Sequence, residues 1–124
     1  QIPKMGYIVK QREENYYTYR ENLTSEIWLP VLEETQNVIS NMGYPIITKN
    51  KREVYKRLSK NKIECRPLVA GSMGLQPAWS NLYGESPMVN ADIVDKYGMY
   101  VPNHQDLTSK DIKRVCSIIN EETQ

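Results

Sequence analysis

The chain has no phenylalanine, a single histidine, His104, and only two cysteines, Cys65 and Cys116. One histidine and two distant thiols, with no CxxC spacing, supply neither a zinc ligand set nor a disulfide framework. Both cysteines are expected to be reduced core residues, and no metal site is expected. Neither sign of charge dominates: 16 Lys and Arg face 15 Asp and Glu, and the two signs are interspersed. That excludes the basic footprint of a nucleic-acid-binding protein. No apolar run approaches the roughly 20 residues of a membrane helix, and no charged-then-apolar leader opens the chain. A soluble, cytoplasmic protein with no nucleic-acid or membrane partner is expected. At 124 residues, 40% hydrophobic and 25% charged, the chain fits one small domain. It opens on Gln1, which suggests a piece cut from something longer.

The stretch from Ile63 to Trp79 does not read as scaffold. Ile63, Glu64, Cys65 and Arg66 alternate as a short strand, which Pro67 is expected to end. Gly71, Gly74 and Pro77 then predict a structured loop over 67–78. A strand delivering Arg66 into a glycine-rich loop suits an anion or a sugar hydroxyl, because a guanidinium fork matches carboxylate or phosphate oxygens. The ordinary alternative for Arg66 is a salt bridge to Glu64 or another nearby acid.

The remaining segments read as follows. Met5, Val9, Tyr16, Tyr19 and Leu23 recur at helical steps and predict an amphipathic helix over residues 2–23, with tyrosine phenols reaching polar partners. Trp28-Leu29-Pro30 suggests a short edge piece, and residues 44–48 a strand that, given Pro45, sits at an edge or begins late. Asn50 with Glu53 predicts a capping box for a helix over 51–60, with Val54, Tyr55 and Leu58 on its inner face. Its basic side chains, Lys56, Arg57, Lys60 and Lys62, read as a solvated face. Residues 80–89 read as a loop, followed by a helix capped by Asn90 and ended by Gly98, then a strand over 99–101. Thr108 and Asp111 open a last helix whose Ile112, Val115, Cys116 and Ile119 form the clearest apolar stripe in the chain. The elements predict an α+β domain: a mainly antiparallel or mixed sheet of about three strands covered by helices. No catalytic constellation is complete. His104 has Asp106 two residues on but no serine or cysteine nucleophile beside it, and reads as loop-bracing.

The segment Ile63-Glu64-Cys65-Arg66-Pro67 through Gly71 to Gln76-Pro77-Ala78 resembles a signature of the DegT/DnrJ/EryC1/StrS family of pyridoxal-phosphate (PLP) dependent sugar aminotransferases and nucleotide-sugar 3-dehydratases. Gly43-Tyr44-Pro45-Ile46 with Lys51-Arg52-Glu53, then Asn90-Ala91-Asp92 and Tyr100 to Thr108, follow in the family's order. The resemblance covers nearly all of this chain but only the C-terminal third of a family member. It implies a C-terminal small domain spanning 1–124, with the first helix leading toward a missing large PLP-binding domain. It also implies that the Schiff-base residue, a lysine in the aminotransferases and a histidine in the 3-dehydratases, lies in that large domain, so no catalytic or cofactor-binding residue is expected here. By the same resemblance the parent acts on a nucleotide-linked 4-keto-6-deoxysugar, with glutamate as amino donor if it transaminates, and forms a homodimer. Arg66, Gly71, Ser72 and Gln76 become candidate substrate-binding residues. Ser72 stands where the family usually has Asn, and Gln76 matches directly. His104, in the family's P-x-H position, is a supporting residue. The motifs lean toward the dehydratase and perosamine-type branch. A free-standing ligand-binding or regulatory module is the alternative of another class, since the order of elements alone would serve it equally.

Overall fold

A computed structural model describes residues 2–24, 38–68 and 71–121; the expected edge piece at Trp28-Leu29-Pro30 lies outside them. Its centre is β3, Gly98–Pro102, which is flanked by β1, Gly43–Ile47, and β2, Arg66–Pro67, in the order β1-β3-β2. Both pairings are antiparallel, with Tyr44 opposite Val101, Ile46 opposite Met99, and Arg66 opposite Tyr100. Pro45 and Pro67 therefore sit on the two edge strands, where a missing N–H can face away from the ladder. The fold class is α+β, as expected.

The third strand differs from expectation. Pairing was predicted over 63–66 with Pro67 as terminator, yet it occurs at Arg66 and Pro67. The chain leaves the preceding helix through Lys62, at φ 59°, with Ile63 N–H bonded back to Leu58 O. It joins β3 only three residues later. The alternation itself holds: Ile63 and Cys65 pack against the core, while Glu64 and Arg66 are exposed.

Three helices build the core with the sheet: α1, Met5–Asn22; α2, Lys51–Lys60; and α5, Ser109–Asn120. Both α1 and α2 pack on α5. Tyr44, Ile46, Met99 and Val101 bury one sheet face against Tyr16, Tyr19, Val54, Leu58, Ile112 and Cys116. Each fully buried aliphatic side chain is worth about 1.5–3 kcal/mol. Thr108 and Asp111 open α5 as expected, and they do so as a capping box: Thr108 Oγ1 accepts from Asp111 N, and Thr108 N donates to Asp111 Oδ2 at 2.9 Å. The stripe of α5 is buried throughout.

Several local expectations fail for identifiable reasons. Asn50 occupies the N-cap of α2 but its side chain makes no capping bond; its own N–H instead bonds Thr48 Oγ1 at 3.2 Å. Tyr55, expected on the inner face, is 48% exposed, and Val54 and Leu58 alone are the buried residues of α2. Arg57 was read as solvated, yet it donates to the carbonyls of Glu121 and Ile119 at the end of α5. Charge at a helix C-terminus meets unsatisfied carbonyls there. Tyr16, expected on a partly wet face, is fully buried, whereas Met5 is 56% exposed. The loop readings of 67–78 and 80–89 miss a 3₁₀ turn at Met73–Leu75 and the helix α3, Pro77–Tyr83. Pro77 starts α3 because proline is tolerated in the first turn, where its N–H would have no partner. The next helix, α4, Val89–Tyr97, begins one residue before the predicted cap Asn90, and Asp92 performs the capping by accepting Met88 N–H at 3.1 Å.

Buried amides stitch α1 to the turn after β3. Asn15 Nδ2 donates to His104 O at 2.9 Å, and Asn103 Nδ2 to Asn41 O at 3.0 Å and Arg12 O at 3.3 Å. Neither asparagine stood out in the sequence, because nothing local distinguishes a buried amide from a turn-forming one.

Candidate functional site

The glycine-rich segment after β2 folds into a groove of about 490 Å³ lined by Pro67, Leu68, Gly71, Met73, Gln76 and Asp95. Gly71 sits at φ 58°, and a Cβ there would collide with Asp95 Oδ1. Gly74 has no positive φ; it is required instead because Ser86 O occupies the place of its Cβ, and its own carbonyl accepts Ser86 N–H at 3.1 Å. Ser72, between the two glycines, is fully buried and donates its Oγ proton to Asp92 Oδ1 at 2.5 Å. One carboxylate thus holds the groove loop with one oxygen and the start of α4 with the other. Asp95 is anchored through its backbone, whose carbonyl accepts from Lys51 Nζ at 2.9 Å.

The sequence-predicted residues separate into distinct places. Gly71 and Gln76 line the groove together. Ser72 lies beneath its wall, turned to Asp92. Arg66, beside Pro67 in β2, closes its fork on Glu64, with Nε and Nη2 both donating to Oε1 at 2.9 and 2.5 Å. Both partners of that pair are more than three-fifths exposed; such pairs contribute about 0–1 kcal/mol. His104 lines a different cleft, of about 210 Å³, with Lys62, Glu64, Asp111 and Arg114. Its Nδ1 accepts Asp106 N–H at 3.3 Å and its carbonyl accepts Leu107 N–H, so it braces the turn into α5.

Asp92 and Asp95 were missed as site residues. The available signal was their spacing: three residues apart on a helix, both project toward the same side, here toward the glycine loop. Chemically, the groove offers a carboxylate, an amide and backbone groups, with no cation among its lining residues. That set matches hydroxyl groups better than phosphate oxygens. None of the ten lysines in the sequence is buried. A Schiff-base lysine is activated by desolvation or a neighbouring cation, so the exposed or half-exposed lysines of this chain do not fit PLP attachment. Burial pushes the Cys116 thiol up to about 12 and raises that of Cys65, which leaves neither as a ready thiolate nucleophile.

The described residues form a small antiparallel sheet backed by three helices, with a groove in the loop that follows β2. The model of the DegT/DnrJ/EryC1/StrS aminotransferase family matches residues 1–120, and the chain belongs to that family. It is 26% identical over 129 residues to the GDP-4-keto-6-deoxy-D-mannose 3-dehydratase of Yersinia pseudotuberculosis, spanning 98% of this chain and 33% of the relative. Its fold matches the Escherichia coli GDP-4-keto-6-deoxy-D-mannose-3-dehydratase with bound hydrated PLP, with a TM-score of 0.78 and 24% identity, over 96% of this chain and 32% of that one. It also matches Helicobacter pylori PseC, an aminotransferase involved in the biosynthesis of pseudoaminic acid, with a TM-score of 0.81 and 18% identity, over 96% and 33% of the two chains. The chain thus spans about a third of the length of the relatives it matches.

Proposed function

We propose that this chain is the C-terminal small domain of a PLP-dependent enzyme acting on a nucleotide-linked 4-keto-6-deoxysugar in surface polysaccharide or deoxysugar biosynthesis. The supporting observation is the family match over 1–120, combined with fold matches that stay within one third of each relative. The parent is read as a cytoplasmic homodimer whose large domain holds the cofactor; no helix among the described residues is long and apolar enough to cross a membrane. Amino transfer from glutamate is the first reading. The 3-dehydratase reading stands beside it because the curated relative carries that activity in its name.

Within this reading, Gly71 and Gln76 present the groove to the sugar, Ser72 holds the loop's shape through Asp92, and His104 supports the turn. Arg66 engages a carboxylate or phosphate only by exchanging Glu64 for it. Arg66→Lys in the complete enzyme is expected to weaken substrate or donor use at least tenfold, about 1.4 kcal/mol, because lysine cannot reproduce the fork. Unchanged steady-state constants would remove Arg66 from the site.

Two measurements test the functional reading. The reading frame upstream of Gln1 should encode a large domain with a lysine at the cofactor position for a transaminase, or a histidine for a dehydratase; a stop codon there sinks the proposal and leaves a free-standing module. The isolated chain, mixed with PLP and reduced with borohydride, should give no adduct at one specific lysine. A single modified lysine would place cofactor chemistry in this chain.

A further inference from the structure

Lys62 alone among the described non-glycine residues has a positive φ, 59°. It closes α2 in the left-handed position: its N–H donates to Ser59 O and that of Ile63 to Leu58 O, both at 2.9 Å. Glycine takes this conformation without strain, whereas a residue with a Cβ is held there at a local cost. Backbone strain of this kind concentrates at ligand sites, and Lys62 lines the cleft of about 210 Å³ shared with Glu64, His104, Asp111 and Arg114. The cleft has no lining residue in common with the Gly71 groove. Its apolar lining, Ile63, Pro102, Leu107 and Val115, is buried or half-buried and forms the floor, while its charged residues are exposed and form the rim. Bonding capacity of both signs is left over on that rim. Among the described residues Lys62 Nζ has no hydrogen-bond or ion-pair partner. Arg114 makes one long bond, from Nη2 to Asn61 O at 3.5 Å, which puts its guanidinium at the turn that carries Lys62. On Glu64 both bonds from Arg66 fall on Oε1, at 2.9 and 2.5 Å, and on Asp111 both side-chain-accepted bonds from Thr108 fall on Oδ2, at 2.9 and 2.6 Å. Glu64 Oε2 and Asp111 Oδ1 are therefore unengaged, whereas His104 Nδ1 is already taken by Asp106 N–H.

Two unpaired cationic heads and two unpaired carboxylate oxygens around an apolar floor complement a molecule that carries both charges and an apolar body. A ligand of one sign would meet as many repelling groups as attracting ones. The volume lies below the roughly 300–1,000 Å³ of pockets for drug-sized molecules, so the ligand is small. We infer that this cleft binds a free α-amino acid with an aliphatic side chain. Its carboxylate lies between Lys62 and Arg114, its ammonium faces Glu64 Oε2 and Asp111 Oδ1, and its side chain rests on Ile63, Leu107 and Val115. The site is separate from the groove proposed for the sugar, and the inference does not rest on the function proposed above.

Titration of the 124-residue chain with L-leucine, followed by heteronuclear NMR, tests this. The amide signals of Lys62, Ile63, Leu107 and Val115 should move and saturate. Isocaproate, which lacks the ammonium, and leucinamide, which lacks the carboxylate, should each bind at least about tenfold more weakly, because each leaves charged partners unmatched. Lys62→Gly should weaken leucine binding at least about tenfold while leaving the melting temperature unchanged or higher, since glycine relieves the positive φ. Arg114→Gln, which does not touch that turn's backbone, should weaken binding to a similar degree. The absence of any saturable shift up to the solubility limit of leucine overturns the inference. So does isocaproate binding as tightly as leucine, which would mean that the ammonium is not recognised. Shifts confined to Tyr55 and Ser59, which line the opening of about 310 Å³ that Lys62 and Glu64 also border, would place the ligand elsewhere and refute the site. Unaltered leucine binding by Lys62→Gly and Arg114→Gln refutes it equally.

Discussion

Two buried tyrosines a few ångströms apart should respond in opposite directions to loss of a hydroxyl. Tyr44 is fully buried, stacked on Tyr19 with centroids 4.7 Å apart and an interplanar angle of 23°, and lies 5.0 Å from the ring of Tyr16. Its hydroxyl is shut off from solvent without a hydrogen-bond partner, whereas Tyr19 OH donates to Pro102 O at 2.8 Å. An unsatisfied buried polar group costs about 1–3 kcal/mol, and a satisfied hydrogen bond contributes about 0.5–1.5 kcal/mol. Tyr44→Phe keeps the ring contacts and removes the unsatisfied group, so it should stabilise by about 1 kcal/mol after allowance for the small void left behind. Tyr19→Phe should destabilise by about 1–2 kcal/mol, because it strands a buried carbonyl. Urea unfolding followed by circular dichroism, with the m-value unchanged, measures both. Equal destabilisation by the two substitutions would show that the Tyr44 hydroxyl is satisfied and refute the reasoning. The same phenols set an alkaline limit. Burial raises both above the ordinary value of 10, so the folded state keeps protons that the unfolded chain releases. Their contribution is complete below pH 10 and is lost as pH rises toward their folded values, at about 1.36 kcal/mol per pH unit per proton. Each Phe variant should flatten that alkaline slope by one proton.

Gly74→Ala should cost more than Gly71→Ala, about 1–3 kcal/mol by thermal melting, because its Cβ meets the Ser86 backbone whereas that of Gly71 meets the movable carboxylate of Asp95; the reverse order would contradict the loop geometry. Thr108→Ala removes the α5 cap and should cost about 1 kcal/mol. The lowered Asp111 carboxyl, held by Thr108, contributes stability above its unfolded value of 3.8 that is lost as pH falls through its folded value, so acid unfolding of Thr108→Ala should begin from a smaller reserve. Thiol labelling of the native protein should modify the half-buried Cys65 well before the buried Cys116; equal rates would mean that α5 opens as readily as the extended segment before β2. Arg66→Ala in the isolated chain should leave the melting temperature essentially unchanged, because water screens its pair with Glu64, and a clear drop would mean the pair is not solvent-screened.

The sequence by itself determined the elements whose signal is periodic and local. The α5 stripe and its Thr108–Asp111 box depend on residues within two turns of one another, and the Pro45 edge assignment follows from one missing N–H. The family, too, was legible, because its signature residues are contiguous. Tertiary structure alone decided where the exceptions go. Arg57 and Lys60 are both basic residues of α2, yet Arg57 alone finds the carbonyl end of α5. Tyr55 and Tyr16 looked equally suited to burial, and which of them reached the core depended on the register of one helix against another. The Glu64–Arg66 pair, by contrast, is local and was open to the sequence as one of two readings, since residues two apart in an extended segment share a face. The groove was split between what a motif can show and what it cannot. Gly71 and Gln76 announced a loop, but Asp92 and Asp95 reach it from a helix some twenty residues on, and a contact made across that much chain leaves no mark on the local pattern of either segment.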